Sequence, residues 1–474
     1  MRVEDAIRQP LSAITVVFVS WKLLLFAIAL GSAVGPAYDT STTLLLPLGQ
    51  GRFNDSPPSL VERLTRWDGI WFTGIATDGY SYEQSWAFGT GLPTAVSKLV
   101  RGVHSFSIYF DVDTYRRPSH VFLFPRDPHL PILSPQCAAL FPSAGLHAVG
   151  WGNSGYLEPL LAIVIANASH FASVLVLYRL GLALASDATL ALTASLLHVV
   201  SPAGLFLSAP YSESSYSLFS FVGYLLLAES YGQKGDGVFG DIFAILSGLS
   251  FGLATTFRSN GLLNGISLAA DFVSLIPEIL TSPTLRNVRR VVSLGVAGIL
   301  VAAGFLAPQV LAYTVFCSDH SGIEIPPWCR KTIPSIYTYV QEHYWGVGFL
   351  RYWTPNNIGL FVLGAPMILV LIKSAVDVLR SPSATVPGIN GASRKTFLPQ
   401  TMAASQILVA GLSVTNYHVQ IITRLASGYP LWYLWLAASL RDKSTAPTAQ
   451  KLVVFLLMYS CIQGVLFASF LPPA

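Results

Sequence analysis

L-V-E-R-L-T-R-W-D-G-I-W-F-T-G-I-A-T-D-G-Y, residues Leu60 to Tyr80, follows the first strongly apolar segment of the chain. Leu60, Leu64, Trp67, Trp71 and Ile75 recur at helical spacing and make one stripe. Glu62, Arg63 and Arg66 fall mostly away from it. The spacing predicts one amphipathic helix lying in a membrane interface, with its tryptophans at headgroup depth. Asp68 interrupts the pattern. It borders the apolar face, where a carboxylate is costly unless paired or used. Two readings stand: an Asp that reaches water or caps the turn at Gly69, or a catalytic base held at the water–lipid boundary. Arg66 is the nearest cation, although residues two apart do not face each other on a helix.

The surrounding chain fits a membrane. Of 474 residues, 52% are hydrophobic and 11% charged, against roughly 25% charged in soluble domains. This excludes a soluble globular class and predicts an all-α polytopic membrane protein, a single integral membrane unit over residues 1–474. No basic run points to nucleic acid. No zinc-like spacing and no carboxylate pair at a metal-binding interval stands out, so neither a metal nor a cofactor is expected.

Spans need about 20 apolar residues each. The first, Leu11–Val34, follows Arg2 and Arg8 and reads as a signal anchor with a cytosolic N-terminus. Further spans are expected at Tyr156–Leu180, Ala188–Leu207, Ser215–Ala228, Ile242–Thr256, Leu262–Leu280, Val291–Phe316, Ile358–Ile372, Met402–Val414, Ser427–Leu440 and Leu452–Phe470. That makes about eleven, within a range of 8 to 12. Proline and glycine interrupt the apolar piece Pro131–Trp151, which reads as re-entrant or interfacial. With eleven spans, the basic loops around Arg286–Arg290, Lys373–Lys395 and Arg441–Lys451 share the side of the N-terminus, as the positive-inside rule requires. The other side holds a long first lumenal loop, about residues 35–155, and a second, about 317–357. The first loop is expected to bear amphipathic helices. It also carries the sequon Asn54-Asp55-Ser56, with Pro57 set against its use. Cys317 and Cys329 share the second loop, either as a disulfide in an oxidising lumen or as two free thiols.

Five lumenal stretches gather polar groups. The first joins Arg66, Trp67 and Asp68 to Glu83. In S-P-A-G-L-F-L-S-A-P-Y-S-E-S-S, Ser212 can cap the next helix and Glu213 suits the positive end of its dipole; alternatively, Tyr211 and Glu213 line a site around Asp68. In T-T-F-R-S-N-G, Arg258 is either a boundary charge or a phosphate ligand, with Asn260 beside it. Ile325 to Asn357 is dense in aromatic residues and includes Gln341, His343, Tyr344, Trp345 and Arg351. An interfacial belt explains part of this, and a sugar face suits the same mixture. The fifth stretch brings His418, Gln420 and Arg424. The convergence predicts a membrane enzyme acting on a lumenal, amphipathic substrate.

R-W-D-G-I-W-F with Glu83, then S-A-P-Y-S-E-S, F-R-S-N-G, Y-V-Q-E-H-Y-W-G-V-G-F-L-R-Y-W and H-V-Q-I-I-T-R, together resemble the PIG-V type family of GPI mannosyltransferases. The resemblance touches five regions in order and implies a C-type glycosyltransferase fold in the endoplasmic reticulum membrane. It implies transfer of the second mannose, in α-1,6 linkage, from dolichyl-phosphate mannose to the mannosyl-glucosaminyl-phosphatidylinositol intermediate of GPI-anchor biosynthesis. Asp68 matches the family's acidic position and would act as general base in an inverting displacement. Arg258, Arg351 or Arg424 would hold the leaving phosphate. The lipid-linked donor, the GPI-precursor acceptor and membrane lipids are the implied partners, and a small helper membrane subunit occurs within such a scheme. Where the family continues with F-F-P-L-Y-P, this chain has Ala87 to Pro93, A-F-G-T-G-L-P. The rival readings are a related transferase with another acceptor, a lipid or polyol transporter, and an inactive scaffold.

Overall fold

Most of the expected spans become helices, because in lipid a helix satisfies its own backbone donors and acceptors. The computed structural model describes residues 7–34, 38–39, 41–42, 59–110, 156–232, 237–318, 325–385 and 394–471. No strand occurs among them. The sequon at 54–56 and the apolar piece at 131–151 lie outside the described residues.

Helix α1 (Pro10–Gly31) leads into the first loop, which contributes α2 (Ser59–Leu64), α3 (Asp68–Asp78) and α4 (Gly91–Phe110). Helices α5 (Leu157–Ala185), α6 (Ala188–Val199), α7 (Glu213–Ser230), α8 (Val238–Phe257), α9 (Gly265–Thr281) and α10 (Leu285–Phe316) follow. The second loop carries α11 (Ile336–His343), and α12 (Ile358–Arg380), α13 (Arg394–Thr415), α14 (Leu431–Ser439) and α15 (Ala446–Ala468) complete the bundle. Every expected span overlaps one of these helices, although Ala188–Leu207 is α-helical only as far as Val199. Among the described residues, eight helical stretches are long and apolar enough to cross a membrane. The other three are α6, with 12 residues, α7, with 18, and α14, with 9.

The connections alternate between two ends of the bundle. One end collects the links α6–α7, α8–α9, α10–α12 and α13–α14 together with the first loop, all of which meet around one cavity. The opposite end is basic and laced by ion pairs. Arg441, after α14, meets Asp187, before α6, and Arg289 of α10 meets Asp241 of α8. Arg290 holds Asp271 at 2.9 Å and the Gly240 carbonyl at 2.9 Å. The positive-inside reading of the sequence had separated the same two sets of loops.

The short α6 has a local cause. Asp187 caps its start by accepting from the Leu190 N–H at 3.0 Å. Pro202 then forbids continuation, and residues 201–212 run on as a wholly buried, irregular segment. Irregular backbone at membrane depth needs partners from the protein. Here Lys22 Nζ donates to the Leu207 carbonyl (3.0 Å) and to Ser208 Oγ (2.6 Å). Asn167 Nδ2 donates to the Ser208 carbonyl at 3.2 Å, and Ser214 Oγ to that of Leu207 at 3.0 Å.

Candidate active site

The single amphipathic helix expected over residues 60–75 is two helices. Between α2 and α3 the chain turns through Trp67, whose φ is 53° and ψ −126°. A bulky residue at positive φ is uncommon and costs about 1–3 kcal/mol, so its surroundings must hold it. They do so here: Tyr211 Oη–H donates to the Arg66 carbonyl at 3.0 Å, Thr42 Oγ1–H to that of Thr65 at 2.7 Å, and the Trp67 ring lies 5.1 Å from that of Phe470. The turn throws Arg66 and Asp68 to opposite sides. Arg66 is fully buried among Glu62 (3.0 Å), Thr42 (3.0 Å) and the Phe470 ring, and it does not reach the cavity. Asp68 becomes the first residue of α3, where a negative charge suits the helix dipole.

Asp68 faces a cavity of about 640 Å³ built by the five stretches singled out in the sequence. Its partner is Arg424, whose Nη1 lies 3.0 Å from Asp68 Oδ2. Arg424 Nε also lies 3.5 Å from Glu213 Oε1, and the same oxygen accepts from Arg258 Nη1 at 2.6 Å. The four charges therefore form an alternating chain, Asp68–Arg424–Glu213–Arg258. Glu213 is sealed at 0% side-chain exposure, whereas Asp68 is open at 39%. Only Asp68 among the two carboxylates can meet a substrate hydroxyl. Burial alone would lower the Arg424 pKa, but Asp68 and Glu213 outweigh it and hold the guanidinium charged. Burial, and then the Asp68 carboxylate, push the Tyr211 phenol well above its usual range, so it stays a donor. Burial keeps His418 below the usual imidazole range; Arg424 reinforces this and Asp68 opposes it.

Trp67, Tyr211, Asn260, Gln341, Trp345, His418 and Gln420 also line the cavity, as do the two arginines. Six expected site residues do not. Arg66 and Glu213 are buried as described. Glu83 is occupied in joining the two loops: it accepts from the Trp328 indole at 2.9 Å and from the Tyr344 hydroxyl at 2.8 Å. His343 stacks on Tyr339 with centroids 5.0 Å apart. Arg351 is exposed and is not among the residues lining the cavity. These placements follow from α11, which turns Gln341 inward and leaves its neighbours His343 and Tyr344 on the outer side.

Other cavity residues escaped the sequence reading. Ser212 does not cap α7; its buried hydroxyl has no hydrogen-bond partner among the described residues, and it lines the cavity instead. Phe88 and Gly89, within the departure from the family pattern, form a wall. Phe88 stacks on Trp71 at 5.6 Å and meets Trp345 edge-on at 5.6 Å. Tyr337 and Tyr417 lie inside the fourth and fifth stretches without having been singled out themselves, and those stretches were the available signal. Cys317 and Cys329 form a disulfide with Cα atoms 5.5 Å apart, which decides between the two readings left open.

The family profile described as Mannosyltransferase (PIG-V) matches residues 12–110 and 156–474. A protein of Gibberella zeae named GPI mannosyltransferase 2 is 43% identical over the full length of both chains. Its namesake in Chaetomium globosum is 44% identical over 96% of this chain and 95% of its own. That of Aspergillus fumigatus is 35% identical over 98% of this chain and 94% of its own. Among solved structures, the apo oligosaccharyltransferase of Archaeoglobus fulgidus aligns with a TM-score of 0.39 and 13% identity over 96% of this chain. That alignment covers 56% of the archaeal chain, so this protein spans little more than half its length. On the family profile and the full-length relatives, the chain belongs to the PIG-V mannosyltransferase family.

Proposed function

We propose that the protein transfers the second mannose, in α-1,6 linkage, from dolichyl-phosphate mannose to the mannosyl-glucosaminyl-phosphatidylinositol intermediate. Mannosyl transfer in GPI-anchor synthesis follows from the family and its full-length relatives. The donor, the linkage and the base are the further reading. It is carried by one observation: Asp68 is the open end of a buried chain of alternating charges in a cavity shared by five loops.

The chemistry is a direct displacement. Asp68 takes the proton from the acceptor 6-hydroxyl as that oxygen attacks the anomeric carbon. The bond from that carbon to the phosphate oxygen breaks, and dolichyl phosphate leaves. A β-linked donor giving an α product inverts the centre, which needs one base and no covalent intermediate. Arg258 and Arg424 supply fixed positive charge for the leaving phosphate, each oriented in advance by Glu213. Arg351 lies outside the cavity, so this reading assigns it no part in the step. The aromatic walls suit the apolar faces of sugar rings, and Asn260, Gln341 and Gln420 suit hydroxyls. A lumenal site in the endoplasmic reticulum is supported by the disulfide in the second loop and by the basic residues at the far end of the bundle. The C-type fold assignment rests on the family, and a helper subunit remains part of the proposal only as an accessory.

The test is Asp68→Asn beside wild type in cells lacking their own second GPI mannosyltransferase. The lipid intermediates and the surface GPI-anchored protein are measured together. The reading stands if wild type rescues and an equally expressed mutant accumulates the single-mannose precursor. A mutant that rescues as well as wild type overturns the base assignment.

A further inference from the structure

Glu83 lies in the first loop, outside the cavity, and both of its carboxylate oxygens are spent on the second loop. Oε1 accepts from Trp328 Nε1–H at 2.9 Å, and Oε2 accepts from Tyr344 Oη–H at 2.8 Å. The two donors stand at opposite ends of α11, Trp328 before it and Tyr344 directly after it. Trp328 is fully buried in a small satellite core with Trp86, Ala312, Ile336 and Val340. Its neighbour Cys329 is bonded to Cys317 at the end of α10. Tyr344 is followed by Trp345, which lines the cavity and touches Phe88 of the first loop. One carboxylate thus grips the second loop on both sides of the helix that delivers Gln341 to the cavity.

Hydrogen bonds to a charged acceptor are the stronger kind, and two from separate donors fix a direction as well as a distance. The turn that follows α11 is held from within by the Val347 N–H on the Gln341 carbonyl at 2.9 Å and from its far side by the Leu350 N–H on the Thr415 carbonyl at 2.6 Å, and Glu83 adds a charged tie to the first loop. We propose that Glu83 is a positioning residue that locks the second loop onto the first and so sets Gln341 and Trp345 at the cavity mouth. Its effect is on how the substrate is gripped rather than on the bond-making step. The proposal rests on the cavity being the site of mannosyl transfer.

The experiment uses full-length protein in detergent with dolichyl-phosphate mannose and a synthetic mannosyl-glucosaminyl-phosphatidylinositol acceptor. Glu83→Gln, Tyr344→Phe and the double variant are compared with wild type for kcat, KM and hydrogen exchange over residues 325–350. Gln keeps one oxygen for the donor-only Trp328 indole and turns the charge-assisted bond with Tyr344 into a neutral one, whereas Phe removes the Tyr344 hydroxyl while leaving the ring. Each single change is expected to raise KM for the acceptor by roughly tenfold while kcat changes by less than about threefold. The double variant is expected to be no worse than the poorer single one, because both changes act on the Glu83–Tyr344 contact. Amide exchange over 336–345 is expected to rise in all three while that of α5 and α7 does not. Additive effects, a fall in kcat alone, or unchanged exchange overturns the proposal. If wild type transfers no mannose, the reading of the cavity fails, but exchange still decides whether Glu83 holds the loop.

Discussion

Arg424 Nη1 and Asp68 Oδ2 lie 3.0 Å apart, although 356 residues separate them in the chain. The contact joins the first loop to the last link at the cavity end, and Arg424 continues it to Glu213 at 3.5 Å. One guanidinium therefore serves two carboxylates through different nitrogens, and its face lies 4.6 Å from the centre of the Phe206 ring. A lysine ammonium has neither the planar fork nor the flat face. Arg424→Lys is expected to lower mannosyl transfer by about a hundredfold, since Asp68 is then held loosely at the moment of attack. The check is a kcat measurement on protein that is expressed and extracted at wild-type level. A loss smaller than about threefold would show that the bridge does not position Asp68.

Glu213 makes a different prediction, about stability. Its carboxylate is wholly buried between Arg258 and Arg424. Removing one member of a buried ion cluster leaves the others uncompensated, at a cost of about 3–5 kcal/mol. Glu213→Gln is expected to melt well below wild type in the same detergent, whereas Asp68→Asn, at the open end, is expected to melt close to it. Thermal unfolding followed by intrinsic tryptophan fluorescence reports both. Equal melting of the two variants would remove Glu213 from its place as the anchor of the cluster.

What was legible in the sequence, and what was not, divides along a physical line. The spans were legible because apolar runs are local, and even α6 and α14 showed as apolar pieces, although the expected spans Ala188–Leu207 and Ser427–Leu440 ran through Pro202 and Pro430, near which these helices end and begin. The two ends of the bundle were legible from where Arg and Lys gather. The break at Trp67 was not, because helical periodicity runs straight through a residue whose positive φ depends on Tyr211, far away in sequence. For the same reason Arg66 looked like a site residue next to Asp68 and is instead buried behind it. Glu83 was legible as an important carboxylate but not as a tie between loops, since its donors at 328 and 344 carry no local mark. Ser212 shows the opposite failure: its local pattern signals a cap, and tertiary structure leaves the hydroxyl uncapping.

His418 gives a pH dependence whose sign can be worked out. Burial is the largest cause of its lowered pKa, with Arg424 acting the same way and Asp68 opposing. The unfolded chain has an ordinary imidazole, near 6.5. Below that value the unfolded state binds a proton that the folded state refuses, so wild-type stability falls as pH drops through this window. His418→Gln has no such proton to bind. The stability difference between wild type and His418→Gln is therefore expected to shift in the variant's favour on going from pH 7.5 to 5.5. Melting both proteins at the two pH values measures it. A constant difference would show that the folded protein protonates His418 as readily as the unfolded chain does.

Gly89 tests whether the chain's departure from the family pattern is a working part of the cavity. A Cβ at this position would collide with the backbone carbonyl oxygens of Thr256 and Phe257, at the end of α8. Neither partner is a flexible side-chain tip that can move aside. Phe257 is followed by Arg258, so any shift that relieves the clash moves the guanidinium paired with Glu213. Gly89→Ala is expected to lower both melting temperature and transfer, the latter by at least about tenfold. Gly102 is the control within the same loop. It stands in α4 with nothing among the described residues within 4 Å of a Cβ placed there, and Gly102→Ala is expected to leave activity unchanged while stabilising the helix by about 0.5–1 kcal/mol. Measuring the two variants side by side separates a general intolerance of the loop from close approach at one residue. If both lose activity, the wall is sensitive throughout and Gly89 has no special place in it. If Gly89→Ala is as active as wild type, the loop is free to move away from α8, and the cavity wall it forms is not needed for transfer.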